Sequence, residues 1–369
     1  MSQRWDVVVV GGGVMGTSAA LTLAARGRAV LVLERFSIGH TRGSSGGPTR
    51  IVRLTYDDPR YVRLARRAFE AWDELQSATG TELLQRTGGL DIGPHAERAA
   101  DALAAAGETL DRLSVGEIAE RWPSLRFSDG ITAIHQADTS IASAERTMHT
   151  QAQEARRLGA EIREHTVVES IRTGPGGAEV VAGGEAVHAP AVVVTAGAWT
   201  APLLDPIGIS LDLRPTREQV AYFSSDPAVA LPAVIDWTPS RTRVPYLVPD
   251  PWSPGAFKVG HHRSGPDTDP DQEGTVDAGM HEAALRWASE HVAGETPAGA
   301  PETCLYTNAP DEDFVLDRLG PLVIASPCSG HGFKFAPLFG AVIADLATGE
   351  TPSVDVSPFR TDRPALAVG

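Results

Sequence analysis

The chain predicts a mixed α/β and α+β architecture: a discontinuous Rossmann-like nucleotide-binding domain and a second domain built on a mainly antiparallel sheet. Three observations predict it. The run Asp6-Val7-Val8-Val9-Val10 passes straight into Gly11-Gly12-Gly13-Val14-Met15-Gly16, and four consecutive valines read as a strand buried on both faces of a parallel sheet. Ala191-Val192-Val193-Val194 repeats the pattern and again runs into glycine, at Gly197. Between about 215 and 303 the texture changes to dense proline, polar loops and alternating runs, which is antiparallel in character. A length of 369 residues also exceeds what one core usually serves, so two domains are the default expectation.

Gly11, Gly13 and Gly16 carry the G-x-G-x-x-G spacing. Such glycines let the backbone turn tightly, approach a pyrophosphate and pack the next helix on the strand, with the helix N-terminus facing the phosphates. A helix over 18–26 stopped by Gly27, then a strand over 29–33 ending at Glu34, complete the unit. Glu34 lies about 20 residues past the turn, where an acid takes ribose hydroxyls. Residues 35–50 are too rich in glycine and hydroxyls for a regular element. Their Gly43-Ser44-Ser45-Gly46-Gly47 matches a hydrolase G-x-S-x-G, but the strand and helix that a nucleophile elbow needs are missing, which excludes a hydrolase. Arg50 and Arg53 share one side if their segment is helical.

Asp58 and Pro59 supply an N-cap and a first-turn proline for a helix over 59–79 that ends at Gly80, with Leu64, Ala68, Trp72 and Leu75 as its core face. A return strand over 87–92 and two helices within 96–122 follow. A helix over 144–158 ends at Gly159; short strands cover 161–163 and 166–168, and a glycine-rich hairpin 174–184. Further strands are expected at 219–223, 246–248 and 257–260. Asp267-Thr268-Asp269-Pro270-Asp271 begins like a calcium loop, but Gln272 replaces the needed glycine and Ala278 the bidentate glutamate, so it is a solvated acidic loop. A strand over 322–325, a turn at Gly330 and Gly332, and a helix over 337–346 close the chain.

The formal charge of −15 would repel nucleic acid and anionic membranes. Arg60, Arg63, Arg66 and Arg67, the densest cationic run, fit a solvated helix face. No apolar stretch approaches the ~18 residues of a membrane span. Two cysteines cannot build a disulfide framework, and no apolar leader precedes the first strand at about residue 5, so a reducing, cytoplasmic setting is expected.

Taken together, these residues resemble the monomeric sarcosine oxidase and N-methyltryptophan oxidase family, within the D-amino-acid-oxidase-like flavoenzymes. The similarity covers nearly the whole chain in matching order. Its specific carriers are Gly43-Ser44 with Thr49-Arg50-Ile51-Val52-Arg53, Thr195-Ala196-Gly197-Ala198-Trp199, Lys258-Val259-Gly260 with His262, Cys304-Leu305-Tyr306-Thr307, and Ser329-Gly330-His331-Gly332-Phe333-Lys334. The resemblance implies FAD, attached covalently through Cys304. It places the FAD domain at 1–85, 143–214 and 305–369, and the substrate domain at 86–142 and 215–304. Toward the cofactor it assigns Gly11, Gly13, Val14, Met15, Gly16, Glu34, Arg35, Gly43, Ser44, Thr49, Arg50, Val168, Ala196, Gly197, Trp199, Cys304, Gly330, His331, Gly332, Phe333 and Lys334.

The implied reaction is oxidation of a secondary α-amino acid to an imine, with O2 reoxidising the flavin to give H2O2. A substrate carboxylate needs cations in fixed geometry, and Arg53 and Lys334 are the candidates. By resemblance Lys258 eases electrons onto oxygen, a step in which a fixed cation stabilises developing negative charge; alternation alone would make it an outward-facing strand lysine. Arg50 is placed against the flavin, with His262 and Tyr246 near the amine and Tyr306 lining the pocket. A monomer is expected.

Departures from the family pattern narrow the substrate. His261 stands where tyrosine is frequent and Cys328 where an apolar aromatic is common, and the loop 42–48 lacks the histidines and acid of sarcosine oxidases. They point away from sarcosine toward a bulkier N-methyl or cyclic amino acid, including a pipecolate-type or biosynthetic tailoring reaction. A flavin-loaded protein without turnover would not need Lys258. A nicotinamide dehydrogenase would need neither Cys304 nor the second glycine turn.

Overall fold

Val7–Val10 lies inside a six-stranded sheet whose order is Val315–Leu319, Leu322–Ser326, Ala191–Val194, Val7–Val10, Val30–Leu33, Glu161–Arg163. Every pair is parallel except the first. The computed structural model describes residues 4–239 and 243–367. Alternate valines serve two cores, as the pleat requires. Val7 and Val9 pack with the helices Val14–Ala25 and Ala336–Thr348. Val8 and Val10 pack with a three-stranded meander, Val168–Gly174, Gly177–Ala182 and Glu185–Ala189. The result is three layers, with the parallel sheet dry on both sides.

A larger sheet runs Thr296–Pro297, Arg214–Ser224, Ala256–His262, Val244–Pro249, Ala233–Asp236, Gly89–Ile92, Thr132–Gln136, Asp111–Ser114, and Glu302–Asn308 joins it by pairing with Arg214–Ser224. All its pairs are antiparallel except Ala233–Asp236 with Gly89–Ile92. The helix Ala278–His291 covers one face through Ala284, Trp287 and Ala288, which pack on Phe223, Phe257 and Val259. A small sheet of Thr49–Val52, Ser140–Ser143 and Leu84–Arg86 lies between. Among the described residues no helix is long and apolar enough to cross a membrane.

Several local expectations need correction. Arg50 lies in the strand Thr49–Val52 and Arg53 just beyond it, so no helix places them on one side. The segment expected as two helices holds Pro94–Ala105 and Val115–Arg121, but the strand Asp111–Ser114 separates them. The expected hairpin at 174–184 contains a whole strand, Gly177–Ala182, with a tight turn at each end. The first helix starts at Val14, directly on the glycine turn. Ala278–His291 is a helix that the proline-rich texture had hidden. Glu302–Asn308 runs through position 304, where a domain boundary is expected, because it pairs along its length with Arg214–Ser224.

Candidate active site

Four adjacent parallel strands end at a pair of cavities of about 240 and about 160 Å3. Val7–Val10 delivers Gly11 and Gly13; Val30–Leu33 delivers Glu34; Ala191–Val194 delivers Thr195 to Gly197; Leu322–Ser326 delivers Pro327 and Cys328. Ligands of open parallel sheets bind at this end of the strands. The cavities share Gly13, Ser44, Ser45, Thr195 and Gly197 as a common wall. From the other side the larger one is closed by the big sheet.

The wall of the smaller cavity has the features of a nucleotide cradle. Gly11 has φ +97°, and a Cβ there would lie 2.5 Å from the Thr195 carbonyl oxygen; one at Gly16 would lie 1.8 Å from the Gly11 oxygen. The turn therefore admits glycine alone and leaves backbone at the cavity wall. Gly13 caps the helix Val14–Ala25 without a side chain of its own, so the helix N-terminus brings backbone amides and positive partial charge to the cavity wall. The Val14 amide donates to Ser45 Oγ at 3.1 Å. Glu34, buried, accepts from the Gly12 amide at 2.6 Å and the Phe36 amide at 2.7 Å, which fixes its carboxylate on the cavity wall.

Cations gather in the larger cavity. Lys258 projects from Ala256–His262, on the face opposite Phe257 and Val259, and donates to the Thr49 carbonyl at 2.8 Å. Burial, with Arg50 adding to it, pushes its pKa down to about 7. Arg50 is fastened by loop carbonyls, donating to Thr49 at 2.8 Å, to Ser44 at 3.0 Å and also to Gly46. Arg53 and Lys334 flank one ring: the Arg53 guanidinium carbon lies 5.3 Å from the Tyr56 centroid and Lys334 Nζ lies 5.2 Å from it. Lys334 Nζ donates to Tyr56 Oη at 2.8 Å and to the His331 carbonyl at 2.7 Å. Arg53 donates to Thr55 Oγ1 at 2.7 Å and lies 3.3 Å from Asp91 Oδ1.

Lys258 and Lys334 are only 6% and 5% exposed. Neither has a carboxylate within ion-pair distance among the described residues. Buried charges are normally paired, and burial together with Arg53 holds the Lys334 ammonium well below its ordinary pKa. An anionic ligand between Arg53 and Lys334 would relieve that penalty. His262, its ring centroid 5.6 Å from that of Tyr306, is held neutral: burial first, then Arg263, Arg53 and Lys334, push its pKa down to about 3. Cys304 faces the same cavity, its thiol pushed up by burial while Arg50 and Lys258 pull it down. Both cysteines are free thiols.

All the residues that sequence analysis places at the site line one cavity or the other except Gly16, which lies beneath the turn. Sequence reasoning missed Ser45, Thr195, Asp91 and Trp237. Asp91 carried a signal, a carboxylate between Leu90 and Ile92 in a buried strand; Trp237 carried none. The Arg60–Arg67 face is solvated only in part, since Arg66 pairs with Glu108 and Asp138. Asp271 does more than sit in solvent: it accepts from Trp199 Nε1 at 2.8 Å at the mouth of the smaller cavity.

A glycine cradle of the nucleotide-binding kind opens onto a cavity rich in cationic side chains, and the chain belongs to the FAD dependent oxidoreductase family, whose model matches residues 6–346. Within it the chain belongs with the sarcosine and N-methyltryptophan oxidases. It is 35% identical to monomeric sarcosine oxidase of Bacillus sp. (strain B-0618), with 99% of this chain and 98% of that one covered. It is 29% identical to N-methyl-L-tryptophan oxidase of Salmonella heidelberg (strain SL476), over 98% and 99%. The solved structure of NikD, described as an unusual amino acid oxidase essential for nikkomycin biosynthesis, superposes with a TM-score of 0.90 at 25% identity, covering 100% of this chain and 99% of that one.

Proposed function

We propose that the chain oxidises a secondary α-amino acid, N-methyl or cyclic, at the carbon beside nitrogen. The product is an imine that water hydrolyses, with O2 as final acceptor and H2O2 released. The observation that carries the reading is the pair Arg53, half-buried, and Lys334, buried, around Tyr56: only Asp91 stands near them as a counter-charge, and a substrate carboxylate would supply a second.

When bound, FAD would supply the two-electron sink between substrate and oxygen. Gly11, Gly13, Val14 and Glu34 would hold its dinucleotide end, and Cys304 would tether the ring. Arg53 and Lys334 grip the carboxylate and so fix which hydrogen faces the ring site. His262, neutral at physiological pH, contacts the amine without adding repulsive charge. Arg50, and Lys258 when protonated, present positive charge where oxygen turns anionic; a Lys258 pKa of about 7 lets a developing anion draw a proton onto it. We place the FAD-binding part at 1–85, 143–214 and 305–369 and the substrate part at 86–142 and 215–304, with Glu302–Asn308 spanning the join. A monomer in a reducing cytoplasm suits two unpaired thiols.

Screening N-methyl and cyclic amino acids for peroxide release tests the reading: turnover of at least one supports it, and none across the panel refutes it. Acid-precipitated protein should stay yellow, with flavin on the peptide that contains Cys304; a colourless pellet removes the covalent link. A cyclic imino-acid oxidase serving biosynthesis is the second reading, favoured by the likeness to NikD.

A further inference from the structure

Asp91 is a buried carboxylate, 3% exposed, in the middle of the strand Gly89–Ile92. One of its oxygens, Oδ1, takes two donors: Arg53 Nη1 at 3.3 Å and Trp237 Nε1 at 3.0 Å. Both donors belong to side chains that line the larger cavity. The indole is fixed further by its own backbone, since the Trp237 amide donates to the Ile92 carbonyl at 2.8 Å, and by the His95 ring, 4.2 Å from its centroid.

Two consequences follow from that shared oxygen. Because Asp91 takes the indole N–H, the part of Trp237 left to meet a ligand is ring carbon. Because the same oxygen holds Arg53, the indole stands within a few ångströms of the guanidinium on which a carboxylate would rest. The neighbouring lining residues Ile235 and Val244 are also apolar, so a substituent on the ligand's α-carbon that points to this side would meet ring and aliphatic carbon.

We infer that Asp91 is a positioning residue for the carboxylate clamp and for Trp237 together, and that Trp237 selects substrates with a bulky apolar side chain over those with none. The inference rests on the amino-acid oxidase reading above and names its substrate class.

Binding of acetate and phenylacetate to the flavin-loaded enzyme, measured by calorimetry, tests it without turnover. The wild type should bind phenylacetate roughly tenfold or more tighter than acetate, and Trp237→Ala should shrink the ratio to within about threefold. Trp237→Phe, which keeps a ring, should retain most of the preference. Asp91→Ala should lose it through a loosened indole, and Asp91→Asn, whose carbonyl oxygen can still accept, should restore it. An equal ratio in wild type and Trp237→Ala overturns the inference, as does equal affinity of the wild type for both acids. If neither acid binds, the carboxylate clamp itself is wrong and the inference falls with it. Should Asp91→Ala fail to fold, Trp237→Ala against Trp237→Phe decides.

Discussion

At the scale of single residues the site is a set of charges placed where water cannot compensate them. Arg53 has one carboxylate near it, Asp91, and Lys334 only neutral oxygens. Arg53→Ala should therefore weaken binding of small carboxylates by about 2 to 5 kcal/mol, much of it the penalty of leaving the ligand's charge buried and unpaired; an unchanged acetate affinity would contradict the clamp. His262 gives a pH signature. Its pKa is pushed down to about 3 in the folded chain against an ordinary 6.5. Between those values the unfolded chain takes up a proton that the folded chain refuses, so this contribution is full above 6.5 and is lost as pH falls toward 3. Chemical denaturation at about pH 7 and about pH 4 should show a smaller loss of stability for His262→Gln than for the wild type. Equal losses would contradict the burial of a neutral ring. Alternation misleads at Lys258, because the face opposite Phe257 and Val259 looks into the cavity and not into solvent.

At the scale of elements, the glycine turn and its helix were legible because hard sterics leave the sequence no choice. Gly16→Ala would drive a Cβ to within 1.8 Å of the Gly11 oxygen. The turn must shift, at a cost of about 1 to 3 kcal/mol by the measure of overpacked sites, and the purified variant should carry less flavin per chain than the wild type. Full flavin content at an unchanged melting temperature would contradict the cradle. The helix Pro59–Thr79 was equally plain, since Asp58 accepts from the Arg60 amide at 2.7 Å and Gly80 closes the other end with φ 65°. Asp111–Ser114 was not, because three of its four residues face solvent and only Leu113 is buried; an outer strand with so little apolar pattern gives period-two reasoning nothing to count. Ala278–His291 had signals that went unread: an Asp277 cap on the Met280 amide at 2.8 Å, and Ala284, Trp287 and Ala288 at helical spacing.

At the scale of the whole molecule, function depends on two sheets meeting across a cavity. The parallel sheet contributes the ends of four strands, and the antiparallel sheet contributes Lys258, His262, Cys304 and Tyr306 from its inner face. Local pattern reveals each strand but not which loops converge, since Arg53, Asp91, Trp237 and Lys334 meet from four separate stretches of chain. Family resemblance, not periodicity, brought Arg53 and Lys334 together, and Asp91 and Trp237 escaped it. The most direct measurement is stopped-flow mixing in two stages, with wild type and Lys258→Met side by side. Anaerobic addition of an N-methyl or cyclic amino acid should bleach the flavin absorbance in both proteins at similar rates. Oxygen should then restore it quickly in the wild type and about 10²- to 10³-fold more slowly in Lys258→Met, the scale expected for one stabilising charge. No bleaching with any secondary amino acid, or equal recovery in the two proteins, would contradict the account.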